Sequence, residues 1–492
     1  MAEPARAEFP IAIIGAGFAG VGAAVRLRKA GIHSFTIFER ADDVGGTWRD
    51  NTYPGAACDV PSHVYSLSFE PNPRWTRRYS PSEEIWRYLR GVVDKWQLGA
   101  HLRTDTEIVE ARFDETAGVW ALVSNDGDVY SARVVISCVG GLVDPKLPDI
   151  KGLASYRGEM FHTARWNHDY DLVGRRVAVI GTGASAVQVV PAIAPLVEQL
   201  HVFQRTPGWV MPKDDAAYSE RAKRIFERYP LALALSRFAK YALSELRGPT
   251  VILDSERLSR PAEKMSLEHL ANQVRDPALR AKLTPNFQFG CKRVLISDDY
   301  WATFERKNVE LVTEPIEEIT STGVRTRDGA QRSVDAIVLA TGFEVGLSSA
   351  PFRIVGRGGQ TLSEAWAHGA VAYKGMTVSG FPNWFVLMGP NTGPGHTSVL
   401  VYTEAQIAHV MQAIRLLRER GVKFLDVRQV VQNRYNQRIQ WRMPYMVWKS
   451  GCDSWYLSRD GQNRSLFPGL AAEYALRTRW FRERDYEIVD FS

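Results

Sequence analysis

Apolar and polar positions along this chain fall into blocks whose order recurs. In FPIAIIGAGFAGVGAAVRLRKAGIHSFTIFER (residues 9–40), Ile11 to Ile14 form a short apolar run suited to a strand buried on both faces. Gly15, Gly17 and Gly20 follow at G-x-G-x-x-G spacing, and the pattern then predicts a helix and a second strand, FTIF. RRVAVIGTGASAVQVVPAIAPLVEQLHVFQRTPGWV (175–210) repeats the order, with a strand at Val177 to Ile180, a turn at Gly181 and Gly183, and Ala186 in the third small position. SARVVISCVGG (131–141) reads as the closing strand of the first block, and the Pro-rich LVDPKLPDIKGL follows it. RSVDAIVLATGFEV (332–345) repeats that closing pattern much later.

The fold class expected is therefore α/β: two Rossmann-like dinucleotide-binding domains, the second inserted into the first, with a helical excursion. The expected boundaries are 1–151 for the first part of the outer domain, 152–335 for the insert and 336–492 for the second part. Within the insert, residues 213–285 are rich in Ala, Leu, Arg, Glu and Lys and predict the helices. Ordinary packing is the first expectation for apolar positions there, as in IFERYPLALALSRFAKYAL; a partner face or lid is the second.

The glycine spacing has a physical reading in both blocks. The first glycine permits a tight turn, the second lets backbone approach a pyrophosphate, and the third lets helix pack closely on strand. The helix N-terminus then offers free N–H groups and the positive end of its dipole to the phosphates. The spacing alone is a weak signal; a strand before it and a helix after it make it a strong one. After the first block Glu39 stands where an acid accepts hydrogen bonds from a ribose. After the second block the strand ends on Gln204, Arg205 and Thr206. An acid would repel a 2′-phosphate whereas Arg205 can pair with it, so this unit is expected to select NADPH over NADH.

Composition narrows the classes. The 492 residues imply two or three domains, and 45 % hydrophobic with 24 % charged content fits a water-facing globular protein. The net charge of +6 is spread along the chain rather than gathered in a tail, so no nucleic-acid partner is expected and a phosphate-bearing cofactor accounts for part of the excess. Cys58, Cys138, Cys291 and Cys452 are far apart and form no CxxC pair, which argues against a disulfide framework, a metal site or a dithiol redox centre. The N-terminus shows no secretory pattern, and no apolar stretch is long enough for a membrane span. The cytoplasm is the expected compartment; oligomeric state is left open.

The densest cluster of special residues is GGTWRDNTYPGAACD (45–59). A mere connection has no use for its tryptophan, and a core strand would not carry its charges. With YRGEMFHTARWN (156–167), it resembles the signatures of the class B flavoprotein monooxygenases, and more closely the type I Baeyer–Villiger monooxygenases. Gly158, His162 and Trp166 match the family's F-x-G-x-x-x-H-x-x-x-W pattern, whereas Tyr156 replaces its phenylalanine and Asn167 its following Pro or Asp. Gly45, Gly46, Trp48, Tyr53, Pro54, Gly55 and Asp59 match the second pattern throughout. The resemblance extends across the chain, through CKR (291–293), ATGF (340–343) and CDSWYLSRDGQNRSLFPG (452–469). Flavin monooxygenases that oxidise nitrogen or sulfur of soft nucleophiles share the shorter histidine motif, typically with another aromatic at the position of Trp166; they are the alternative.

The resemblance implies FAD in the outer domain and NADPH in the insert. Gly15, Gly17, Gly20, Glu39, Gly46, Thr47, Trp48, Asp59, Tyr65, Ile108 and Val399 would line the flavin nucleotide, with the Tyr-Pro-Gly turn passing beneath the isoalloxazine. Gly181, Gly183, Ser185, Ala186, Arg205, Thr206, Lys292 and Trp455 would hold NADPH. The implied reaction inserts one oxygen atom of O2 beside the carbonyl of a small hydrophobic ketone, through a flavin peroxide, to give an ester or lactone. Arg293 would be the catalytic cation and Asp59 its partner. His162 is expected to link domains rather than move protons, and His396 has only its residue type to suggest a general base.

Overall fold

The computed structural model describes residues 9–344, 352–452, 454, 456–458 and 460–491. Its first sheet has five parallel strands in the order Trp384–Val386, Val134–Ser137, Ile11–Ile14, Phe35–Phe38, Leu102–Arg103. Ile11–Ile14 and Val134–Ser137 are buried at every position, as a parallel strand covered on both faces requires. One face carries the Phe18–Lys29 and Val399–Arg420 helices, whose Val21, Leu27, Ile407 and Ile414 join Ile13 in one core. The other face carries a four-stranded sheet, Arg353–Val355, Ile108–Asp114, Val119–Ser124 and Val129–Ala132. Val119–Ser124 alternates half-buried and buried positions, and its Trp120 ring lies 4.7 Å from that of Trp384.

The second sheet is also parallel, in the order Val309–Val312, Gln199–Phe203, Arg176–Ile180, Ala336–Leu339, Glu159–His162. Here the expected boundary at residue 335 is corrected. Ala336–Leu339 pairs with Arg176–Ile180 in register Ala336↔Val177, so it is an inner strand of the insert. Its all-apolar run suits either sheet, and pairing rather than pattern decides between them. The chain crosses between domains twice, and the crossings lie side by side: Pro145 pairs with Phe343, and the Lys146 amide donates to the Gly342 carbonyl at 2.8 Å.

The helical excursion comprises Glu220–Arg228, Pro230–Ile252, Glu256–Gln273 and Pro277–Leu283. Among the described residues no helix is long and apolar enough to cross a membrane.

The part of the cysteine expectation that argued against disulfides is overturned. Cys291 and Cys452, 161 residues apart, meet as a disulfide with Cα atoms separated by 6.2 Å, whereas Cys58 and Cys138 are free and buried. Spacing along the chain excludes a CxxC motif but says nothing of pairs that the fold brings together. The bridge ties the insert to the second part of the outer domain. Alkylation of the denatured, unreduced chain is expected to modify two cysteines, Cys58 and Cys138, and all four after reduction; mass spectrometry of the peptides reads the difference.

Candidate active site

Both glycine turns owe their sequence to the neighbouring strand. A Cβ on Gly15, at φ 100°, would stand 2.6 Å from the Cys138 carbonyl oxygen, and one on Gly181, at φ 118°, would stand 2.4 Å from that of Ala340. The second glycines face space instead. The nearest atom to a Cβ on Gly17 is the Gly46 Cα at 3.9 Å, and a Cβ on Gly183 would meet nothing within 4 Å. The helices that follow, Phe18–Lys29 and Ala186–Ile193, have no side-chain N-cap; in the second, the Val187 and Gln188 amides donate to the Gly183 and Ser185 carbonyls at 3.1 and 3.2 Å. An open floor before a helix start is what a pyrophosphate requires, and that arrangement is built twice.

Glu39 is buried at the mouth of the first turn. Its carboxylate accepts from the Ala16 amide at 2.8 Å, the Ala41 amide at 3.1 Å and the Arg49 guanidinium at 3.1 Å. At the corresponding place in the second turn the chain carries exposed Arg205, followed by Thr206, whose carbonyl accepts from the Thr182 hydroxyl at 3.0 Å. Lys292 arrives from a neighbouring segment, since Val210–Met211 pairs with Leu295–Ile296. Its ammonium lies 5.0 Å from the centroid of the Phe287 ring.

Residues 45–59 lead from the first turn to the second domain. Gly46 precedes the short Thr47–Asp50 helix, and Trp48 donates its indole N–H to the Tyr65 hydroxyl at 3.0 Å. The Tyr-Pro-Gly turn was expected beneath a flavin ring, and the structure seats it on the Ala186–Ile193 helix of the insert. Tyr53 donates to Gln188 Oε1 at 2.8 Å, and Gln188 Nε2 donates to the Ala57 carbonyl at 2.9 Å. Burial pushes the Tyr53 phenol up to about 12, against the opposing effect of a hydrogen bond with Ser185. A Cβ on Gly55 would stand 2.6 Å from the Gln188 carbonyl oxygen, so glycine is the residue that lets turn and helix touch. Beside this joint a cleft of about 780 Å³ opens between Trp48–Ala57 of one domain and Val187, Ala192, Lys213 and Ser297 of the other.

The segment ends on Asp59, which meets Arg293. Arg293 Nε donates to Asp59 Oδ2 at 3.0 Å and Nη2 makes a second, closer contact with the same oxygen. The Asp59 charge, working against desolvation, holds the guanidinium above its ordinary range, so Arg293 is a cation at every accessible pH. The pair is partly accessible, with 39 % of the Arg293 side chain and 29 % of the Asp59 side chain exposed. The buried Tyr456 phenol also bonds Arg293 and is pushed by burial to about 12, so it is neutral at physiological pH.

Other expected residues are placed with less consequence. Ile108 is buried in the cluster that contains Ile14 and Phe38, which leaves its backbone rather than its side chain to face a ligand. Val399 opens the Val399–Arg420 helix, with the Ser398 hydroxyl accepting from the Leu400 amide at 3.2 Å. Trp455 lies outside the described residues. His162 ends a strand and accepts from the Ala164 amide at 3.0 Å, whereas His396 is buried with Nε2 2.9 Å from Glu245. Gln188 and Tyr456 went unnoticed in the sequence. Tyr456 adjoins Trp455 and could have been marked by that neighbour; Gln188 carries no signal.

Two uncapped helix starts over open glycine floors, one bordered by an acid and the other by an arginine, define a protein built to carry two dinucleotides. The chain belongs to the flavin-binding monooxygenase-like family, whose pattern matches residues 9–352. It is 44 % identical to a Baeyer–Villiger monooxygenase of Pseudomonas aeruginosa over 97 % of this chain and 91 % of that protein. It is 43 % identical to one of Streptomyces coelicolor over 97 % and 92 %. Among solved structures, a steroid monooxygenase bound to NADP is 32 % identical, with TM-score 0.86 over 98 % of this chain and 99 % of the other. Cyclohexanone monooxygenase from Rhodococcus sp. Phi1 bound to NADP+ is 28 % identical, with TM-score 0.87 over the same shares.

Gln188→Leu leaves the Tyr53 hydroxyl and the Ala57 carbonyl without their partner at the domain joint. It is expected to cost about 1–3 kcal/mol, seen as a lower Tm; Tyr53→Phe combined with it should add little further loss.

Proposed function

We propose that the chain is an FAD- and NADPH-dependent monooxygenase of the Baeyer–Villiger type, acting on a small hydrophobic ketone with O2 in the cytoplasm. The observation that carries this reading is the Asp59–Arg293 pair: a permanent cation, held by a carboxylate from the other domain, in a chain with two dinucleotide turns. One oxygen atom enters beside the carbonyl to give an ester or lactone, and the other leaves as water.

The outer turn fits FAD, with Gly15, Gly17 and Gly20 shaping the floor, Glu39 at the ribose end, and Gly46, Thr47, Trp48 and Tyr65 along one side. The inner turn fits NADPH, with Gly181, Gly183, Ser185 and Ala186 at the pyrophosphate and Arg205, Thr206 and Lys292 at the extra phosphate; Trp455 completes this set by resemblance. When bound, FAD reduced by NADPH supplies the activated oxygen atom. The protein's own part is electrostatic. Arg293 faces negative charge as it develops on the ketone oxygen, and its fixed charge and direction cost no reorganisation at that moment. Asp59 is the positioning partner: both of its contacts go to one side of the guanidinium, and Tyr456 braces it as well, so its direction is set before a reacting group arrives.

Replacing Arg205 by Ala is expected to narrow the preference for NADPH over NADH through KM, by about ten- to a hundredfold, the worth of one charge-assisted contact. Unchanged discrimination would locate the selectivity elsewhere.

Arg293→Ala separates the half-reactions. Hydride transfer needs placement and no oxyanion stabilisation, so stopped-flow reduction of the flavin by NADPH should persist. Ester formation should fall by about 10²–10³-fold, the usual cost of one such donor, with the consumed electrons appearing as hydrogen peroxide. Ester formation at the parent's rate would refute the catalytic assignment.

A further inference from the structure

The Pro230–Ile252 helix is amphipathic the wrong way round for a helix on a protein surface. Its polar side chains face the outer domain. Ser236 lies 2.9 Å from His63 Nδ1, Arg237 donates to the carbonyls of His63 and Ser66 at 2.8 and 2.9 Å, and Lys240 donates to Ser236 at 2.6 Å. Leu233 and Ile252 are buried, but four other large apolar side chains face outward: Leu231 is 71 % exposed, Leu235 59 %, Phe238 66 % and Leu246 79 %. These positions share one face, with exposed Ala234 and Ala239 among them, over about 22 Å of helix at 1.5 Å per residue. The expectation of ordinary packing for this stretch fails. A stripe of this length is not the scattered apolar exposure of any protein surface.

Charge says what covers it. Residues 220–252 hold seven Arg or Lys against three Glu. Exposed Arg224 and Arg228 stand before the helix start and exposed Arg247 follows Leu246 near its end. A second copy paired through this stripe by a two-fold axis would bring cation to cation: antiparallel helices set Arg228 against the other copy's Arg247, and parallel ones set each arginine against itself. A surface that is apolar beneath and anionic at its boundary meets both features at once.

We propose that this helix docks the protein on anionic lipid bilayers, lying in the plane of the interface with Leu231, Leu235, Phe238 and Leu246 in the acyl boundary and the flanking arginines among the headgroups. The helix also reaches the interior: Glu245 bonds His396 in the loop that leads to Val399, and Gly248 packs on the His396 ring. An apolar ketone dissolved in the bilayer is thus one helix away from the site, a step that rests on the function proposed above.

The test is flotation of FAD-loaded protein with vesicles of equal parts phosphatidylcholine and phosphatidylglycerol, without NADPH or substrate. Binding is expected, at least about tenfold weaker to pure phosphatidylcholine and weakened by salt. Leu235→Glu with Phe238→Glu should abolish it while leaving Tm and the oxidation of a dissolved ketone unchanged, and Arg224→Gln with Arg228→Gln should weaken it. Failure to bind the anionic vesicles overturns the proposal, as does undiminished binding by the Leu235/Phe238 variant. A concentration-dependent dimer in sedimentation, converted to monomer by that variant, also overturns it, because the stripe is then a subunit interface. Vesicle binding by a protein that oxidises no ketone leaves the docking in place and removes the function.

Discussion

A guanidinium delivered by one domain has to meet a carboxylate delivered by the other, and that requirement organises the molecule. Asp59 stands at the end of a segment clamped to the insert by Gln188, and Arg293 stands two residues after the cysteine that bridges back to the outer domain. Each partner is therefore braced by the domain it does not belong to. With both side chains open to solvent, the attraction itself contributes no more than about 1 kcal/mol. The pair's importance is positional: it aims a charge that the joint, the bridge and the double crossing have already brought within reach.

The two dinucleotide turns share a backbone and differ in the charge beside them. Identical constraints from a neighbouring carbonyl force glycine at 15 and 181, and identical open floors lie under 17 and 183. What distinguishes the turns is local. Glu39 is held in place by two amides and an arginine, so a carboxylate side chain borders the first turn. Arg205 gives the second turn the opposite sign. One fold thus sets opposite charges at the ends of equivalent strands, the difference on which the proposed division between FAD and NADPH rests.

The first and second strands of each unit, both glycine turns and the nested order were legible in the sequence, because each rests on local pattern: an apolar run, a turn that excludes a side chain, a following helix. The Asp59–Arg293 partnership was legible only through resemblance, since nothing in either short segment points to the other. Ala336–Leu339 was assigned to the wrong sheet because an all-apolar strand does not state its neighbours. The Cys291–Cys452 pair, the Gln188 joint and the outward face of Pro230–Ile252 were missed for a related reason. Each is a relation between distant segments, and the apolar period that announces a helix does not say which way it turns.

The nested order also sets a timetable for synthesis. Every strand of the inner sheet lies between residues 159 and 339, so that sheet is complete once Ala336–Leu339 has left the ribosome. The outer sheet then still lacks Trp384–Val386, and its fully buried Val134–Ser137 strand has an uncovered edge. An uncovered apolar strand is a template for pairing with another chain. The nascent protein passes through an interval in which the inner sheet is finished and the outer one is a strand short, open at the edge that the last strand will close.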